Sequence, residues 1–263
     1  MTGVEGLTLE GPNAGIDGDS EDRGDEATIT DGISWDATDD VTVDGFTVED
    51  EVGEGDNIGV IELGQSTGVI GDNAVIKNNI INAVPQTESA MAGILWEGDI
   101  EDELFVENNL ITQEDGNEVD ALTHNEADIG LWEVTDNTLA TEGAGFVAGS
   151  GDTSEINAVV TGNEFTDESD AFPAVDINDG DSIEVDLQEN TFDGTIAGIR
   201  VNSGVDTDNG DSVGISDNDF IGDDTVWYVE DNSGTLDLNI VLNDQGNTFD
   251  PDGEVDGNQI VPV

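Results

Sequence analysis

The sequence predicts an all-β fold, a β-solenoid of about nine coils with roughly 28 residues in each, and three observations carry that reading. The first is a recurring phrase: "VTDNTLAT" from Val134, "VTGNEFTD" from Val160, "LQENTFDG" from Leu187 and "ISDNDFIG" from Ile215. Laid over one another, the copies read as an apolar residue, two polar residues, Asn, a variable residue, then Phe, Leu or Ile. Asn79, Asn109, Asn137, Asn163, Asn190, Asn218 and Asn247 fill the Asn column at intervals of 30, 28, 26, 27, 28 and 29 residues. The second observation is another column in the same phase: Val60, Ile94, Leu122, Phe146, Val175, Ile199, Trp227 and Ile260, often after a small residue. The third is the grammar between the columns. The chain alternates apolar and polar over a few residues and breaks at Gly, Asp or Asn, with no amphipathic helical pattern of useful length.

Taken in chain order, residues 1–40 read as an irregular N-terminal coil and the remainder as regular coils of the same domain, 1–263. In the strand ahead of each ladder Asn, the inward positions are Ile76, Val106, Val134, Val160, Leu187 and Ile215. The residues just before them, Val75, Phe105, Glu133, Val159, Asp186 and Gly214, then face outward. Val75 and Phe105 make a local apolar spot, suited to a covering element or a second copy. The Asn column itself reads as structural. An Asn repeated at one bend accepts left-handed geometry and bonds its amide to turn backbone and to the copies above and below. A single coil cannot bury its apolar side, so stacking makes the core.

These coils, with the opening "GLTLEGPNAGIDGDSEDRGDEATI" and then "DVTVDGFTV", resemble the pectate-lyase-like right-handed parallel β-helix proteins of the haloarchaeal type. The resemblance runs from Leu7 to Val263 and implies a right-handed parallel β-helix exported to the cell surface. It also implies an amphipathic helix and first strand ahead of "LTLEGPN", where this sequence has Met1 close upstream, as a fragment lacking its N-terminal cap would. The closing strand "NQIVPV" carries no polar cap, and the expectation is that the solenoid ends are open to self-association. The fold hosts lyases, hydrolases and adhesins alike, so activity does not follow from it.

Three Lys plus Arg stand against 64 Asp plus Glu, and 3 − 64 gives −61. A charge of that size reads as disorder unless apolar residues are held in register, as the 35% here are. Concentrated salt reconciles charge with folding: the Debye length falls to about 3 Å in molar electrolyte. The expected environment is therefore a brine, with Na⁺ and K⁺ as solvating counterions. The same charge excludes nucleic acid as a partner, since nothing is present to neutralise phosphates. Without Cys there is no disulfide or thiolate metal site. No run of 18 apolar residues and no signal-peptide pattern occur, so no membrane insertion is expected.

The resemblance also directs attention to Arg200 and Asp176, equivalent positions of adjacent coils on the face where such lyases carry catalytic arginines. They read either as a base beside a calcium ligand or as an ion pair between rungs. A hydrolase needs converging carboxylates, one with a raised pKa, and 64 acids give that pattern no specificity. His124, the one histidine, reads as an incidental turn residue. Trp132 and Trp227 fall on inward phases, while Trp96 and Tyr228 are undecided between core and a sugar-stacking face. Calcium has better candidates, because hard cations want several oxygens around a Gly-permitted turn. The segments 17–26, 206–211 and 250–258 offer Asp17, Asp19, Asp206, Asp208, Asp211, Asp250, Asp252 and Asp256. The function expected is a cation-dependent structural or ligand-presenting module that binds inorganic cations and a polysaccharide. The alternative is a polysaccharide lyase or glycoside hydrolase acting on acidic polysaccharide.

Overall fold

Short β-branched runs closed by Gly, Asn or Asp turns fold into three strands per coil. The computed structural model describes residues 6–35, 40–50, 59–64, 73–84, 92–113, 118–124, 127–149, 154–166, 172–194, 197–206, 210–222 and 226–263. The first coil holds β1 (Thr8–Glu10), β2 (Thr28–Thr30) and β3 (Ile33–Trp35), and the second β4 (Val41–Asp44), β5 (Thr47–Asp50) and β6 (Gly59–Leu63). Next come β7 (Ala74–Lys77), β8 (Ile80–Ala83) and β9 (Ala92–Trp96), then β10 (Ile100–Glu107), β11 (Leu110–Gln113) and β12 (Asp120–His124). The fifth and sixth coils are β13 (Ile129–Thr135), β14 (Thr138–Ala140), β15 (Phe146–Ala148) and β16 (Glu155–Thr161), β17 (Glu164–Phe165), β18 (Val175–Ile177). The last two are β19 (Ser182–Gln188), β20 (Thr191–Asp193), β21 (Ala197–Val201) and β22 (Ser212–Ser216), β23 (Asp219–Ile221), β24 (Trp227–Asp231).

First, second and third strands of successive coils pair in parallel into sheets 1, 2 and 3, giving the expected right-handed parallel β-helix. The coil count is slightly below nine. The ninth first-strand position is taken by a helix, α1 (Leu238–Asn243), followed by β25 (Thr248–Asp250) on sheet 2 and an antiparallel pair, β26 (Gly253–Asp256) and β27 (Gln259–Pro262), on sheet 3.

The Asn ladder is built as the repeat implies. Asn79, Asn109, Asn137, Asn163, Asn190 and Asn218 each donate backbone N–H and side-chain Nδ2 to Oδ1 of the Asn one coil on, at 2.9 to 3.1 Å. Nδ2 of each also reaches a carbonyl one coil back, from Val43 for Asn79 to Ile215 for Asn247, at 2.8 to 3.1 Å. The left-handed residue, however, is the one before the ladder Asn. Asn78, Asn108, Asp136, Gly162, Glu189, Asp217 and Gly246 have φ between 54° and 77°. The turn needs one left-handed residue to swing the chain from sheet 1 to sheet 2, and the following Asn, freed from that duty, turns its amide into the core.

Two places along, the Phe of the repeat forms a stack inside sheet 2. Phe165, Phe192, Phe220 and Phe249 lie with centroids 4.9, 4.7 and 5.1 Å apart and planes within 7° of parallel. The expected inward residues Ile76, Val106, Val134, Val160, Leu187 and Ile215 are all buried. In sheet 3 the core column is Ile33, Ile61, Ile94, Leu122, Phe146, Val175, Ile199, Val229 and Ile260. Val60 and Trp227, which the repeat suggests for this column, lie one and two residues ahead of it, since the column positions in β6 and β24 are Ile61 and Val229. Trp227 pairs with Ala197 at the strand mouth and is half-buried.

The C-terminal end differs from the uncapped strand expected. Leu238 and Val241 of α1 are buried, and the helix packs on β26 and β27. β27 runs antiparallel to β24, which breaks the parallel register that a further coil would continue. Asp231 holds this end together, its carboxylate accepting from the backbone N–H of Ser233, Gly234 and Leu236 and from the Ser233 hydroxyl.

Between β1 and β2 the chain leaves the coil and runs along the outside of the corner between sheets 1 and 2. Gly18 N–H donates to the Asn108 carbonyl, 2.8 Å away and two coils beyond β4. A Cβ on Gly18 would lie 2.3 Å from the Asn79 carbonyl oxygen, so only glycine permits that approach.

Candidate functional site

The outer face of sheet 3 carries Arg200 and Asp176 on adjacent rungs of β21 and β18. Arg200 Nε and Nη2 donate to the two Asp176 oxygens at 3.0 and 2.7 Å. This bidentate contact raises the guanidinium pKa, through the Asp176 hydrogen bond above all. Asn202 adds a third donor to Asp176 at 2.7 Å and bonds Asn178 at 2.7 Å. The two sequence candidates thus meet as an ion pair between rungs, with both Asp176 oxygens engaged.

Sheet 3 also carries a second, shorter run of amides. Asn178, Asn202, Asn232 and Asn258 end successive rungs, with Asn202 bonded to Asn178 and Asn258 to Asn232. The signal was present in "VDIN", "IRVN", "VEDN" and "DGN" but varies more in spacing than the first ladder. Toward the N-terminus, the outward residues Glu62, Leu95 and Thr123 of the same sheet are buried, so that part of the face is sealed.

Asp120, at the start of β12, was not among the sequence candidates. Its Oδ1 accepts from the Ala144 N–H at 2.8 Å. Loss of water around it raises its pKa to about 7; the Ala144 hydrogen bond opposes this, and the charges of Asp176 and Glu118 add to it. A carboxyl whose pKa is raised to near 7 is what general-acid chemistry on a glycosidic bond uses.

His124 is not a turn residue. It lies fully buried in β12, in register with Trp96. Its Nε2 accepts from the Gly149 N–H at 2.8 Å, and its ring stands edge-on to Trp132. Burial lowers its pKa to about 4, so it is neutral. Trp96, Trp132 and Tyr228 are likewise core residues, and the Tyr228 hydroxyl donates to the Pro251 carbonyl at 2.6 Å. They form no outward sugar-stacking face.

Each of the three cationic side chains has a structural partner. Arg23 bonds Glu26 and three carbonyls, those of Ile16, Asp17 and Asn78. Lys77 lies 3.9 Å from Asp44, and Arg200 pairs with Asp176.

Among the described residues, no three His, Asp or Glu side chains converge on a point. Asp17 and Asp19 sit exposed on the excursion between β1 and β2, where Asp19 accepts from Thr138 at 3.1 Å. Asp211 is buried, and its two oxygens accept from the N–H groups of Ile183 and Asp206. Asp250 ends β25, Asp252 precedes β26 and Asp256 ends it, all three exposed. Asp208 lies outside the described residues.

A recessed surface lies on sheet 1. Register slips in β10 against β13, between Ile100 and Glu103, and in β13 against β16, between Ile129 and Trp132. These bulges open a depression of about 310 Å³, floored by Ile100, Ile129 and Ile156 and rimmed by Asp128, Glu155, Asn157, Ser182 and Glu184. A second hollow, holding Asn73, Asp102, Glu103 and Leu131, adjoins it at Gly130. Val75 and Phe105 are side by side on this sheet, as expected, and half-buried.

Fold and sites define a parallel β-solenoid with a structural ion pair where a catalytic arginine was sought. No family model matches the chain, and neither a curated protein nor a solved structure matches it. No helix among the described residues is long and apolar enough to cross a membrane.

Proposed function

We propose that the chain is a structural, ligand-presenting β-helix module that works in concentrated cations at the cell surface. The observation that carries this reading is the commitment of Arg23, Lys77 and Arg200 to partners in the fold. A lyase abstracts a proton from a sugar with a basic group, and both Asp176 oxygens already hold Arg200 in an ion pair. The resemblance to haloarchaeal pectate-lyase-like proteins supports the brine and the surface location, and the hollow on sheet 1 is the seat for a glycan. Calcium, held by exposed carboxylates such as Asp250, Asp252 and Asp256, and bulk Na⁺ or K⁺ complete the module.

A second reading, glycoside hydrolysis, is favoured by Asp120, whose carboxyl is raised to about 7 near Asp176. One experiment separates the two. The chain is incubated in molar KCl with a panel of acidic polysaccharides, and both retention on the polymer and release of reducing or unsaturated ends are measured. Retention without release supports the presenting module. Release abolished by Asp120→Asn establishes the hydrolase, and unsaturated ends lost with Arg200→Gln restore the lyase.

A further inference from the structure

The excursion between β1 and β2 lies across four successive coils. Gly15 N–H donates to Asp44 Oδ1 at 3.0 Å, Gly18 N–H to the Asn108 carbonyl, and Thr138 to Asp19. On the return, Arg23 Nη1 donates to the Asn78 carbonyl at 2.8 Å, and Thr47 donates to Glu26 at 3.0 Å. Arg23 is the clamp, its side chain only 6% exposed and its hydrogen bond holding the Glu26 pKa down.

Residues 13–26 contain six carboxylates and one guanidinium. The apolar side chains are only Ala14, exposed, and Ile16, half-buried. Adhesion is therefore polar, while the coils beneath are held by a continuous apolar core. The corner under the strap is also acidic. Asp136 precedes Thr138 by two residues, Glu164 is the rung neighbour of Thr138, and Glu107 precedes Asn108; Lys77, already beside Asp44, is the one cation there. Strap and corner repel over about 10 Å at 0.1 M salt but only about 3 Å at 1 M.

We infer that residues 13–26 form a cation-dependent latch that lifts from the corner between sheets 1 and 2 as ionic strength falls, while the coils stay wound. Lifting uncovers the Asn78 and Asn108 carbonyls, which become free acceptors on the outside of the third and fourth coils. The inference rests on the reading that the folded chain needs screening cations, and adds that latch and coils answer to different concentrations.

Hydrogen exchange read by mass spectrometry on the full chain, over a descending KCl series, tests it. Peptides from residues 13–26 lose protection at a KCl concentration several-fold above that at which peptides holding Asn163 and Asn190 lose theirs. Arg23→Gln moves the strap midpoint to higher KCl and leaves the coil midpoint in place. Gly18→Ala, whose Cβ meets backbone, leaves the strap open throughout the series with the coils protected. One shared midpoint, or a strap midpoint unmoved by Arg23→Gln, overturns the latch and leaves the salt requirement standing. Protection independent of KCl in both regions overturns the latch and the salt requirement together.

Discussion

A ladder Asn is worth more than one hydrogen bond, because its removal takes a buried acceptor from one neighbouring coil and a donor from a carbonyl of that same coil. Asn163→Ala strips the acceptor shared by the Asn137 N–H and amide and removes the amide donor to the Val134 carbonyl, at a cost of about 1–3 kcal/mol. Asn190→Ala costs the same by the same geometry, and chemical denaturation in molar KCl reads both. Loss of less than about 0.5 kcal/mol at either site contradicts the assignment. Repetition made the ladder legible in the sequence, but the left-handed residue was misplaced by one, since Asn fits both roles. Glu189 shows the difference: it takes the left-handed turn with φ 55°, where a β-carbon is unfavourable. Glu189→Gly therefore raises the melting temperature, and a lowered one places the strain elsewhere. His124 and Asp120 were illegible because burial sets their chemistry. His124 is neutral in the fold, with a pKa of about 4 against 6.5, so its share of stability is complete above pH 6.5 and is lost as pH falls toward 4. Asp120 has the opposite sign: raised from 3.8 to about 7, it contributes most below pH 3.8, and that contribution is lost as pH rises through 7. Relative to the parent, Asp120→Asn gains melting temperature as pH rises from 3.8 to about 7, whereas His124→Gln gains it as pH falls from 6.5 to about 4. A variant-minus-parent difference flat with pH removes the burial account of that residue.

At the scale of elements, what stacks is what the sequence repeats. From Phe165 to Phe249 the phenyl stack gives sheet 2 one ring per coil at nearly the rung spacing, so each inner ring is covered on both faces by its neighbours. Phe192, between Phe165 and Phe220, has no room to be replaced by relaxation from one side. Phe192→Ala costs about 3–5 kcal/mol, and Phe192→Leu much less, by the same denaturation measurement. Equal costs for the two substitutions mean that the stack is not what fills the core there. The column on sheet 3 was harder to read, because apolar residues stand just ahead of it: Val60 precedes the column residue Ile61, and Trp227 lies two places before Val229. The C-terminal cap was illegible for a related reason. "LNIVLN" is too short for a helical period to stand out, and only the replaced rung and the antiparallel β27 show that the coil has stopped. The second amide run on sheet 3 escaped notice because its intervals, 24, 30 and 26 residues, wander with the loops between.

For the whole molecule, the apolar core and the −61 charge pull in opposite directions, and solvent decides between them. Few opposite charges interrupt the repulsion, since all three cations lie in local contacts and long-range fields from the remaining carboxylates go uncompensated. Removing salt raises the self-energy of the wound rod more than that of the expanded chain. Circular dichroism in descending KCl therefore passes from a β-spectrum to an unfolded one, and NaCl at equal ionic strength follows the same curve because screening does not distinguish the ions. Calcium separates specific from diffuse binding. A ligand held only by the folded chain adds RT ln(1 + [L]/Kd), so micromolar CaCl₂ on a fixed KCl background raises the melting temperature where matched sodium does not. Asp252→Ala removes part of that increment if the carboxylates around β26 hold the ion, and leaves the KCl curve untouched. Identical responses to trace calcium and matched sodium make the carboxylates a diffuse coat, while a β-spectrum unchanged in salt-free buffer with EDTA removes the cation requirement altogether.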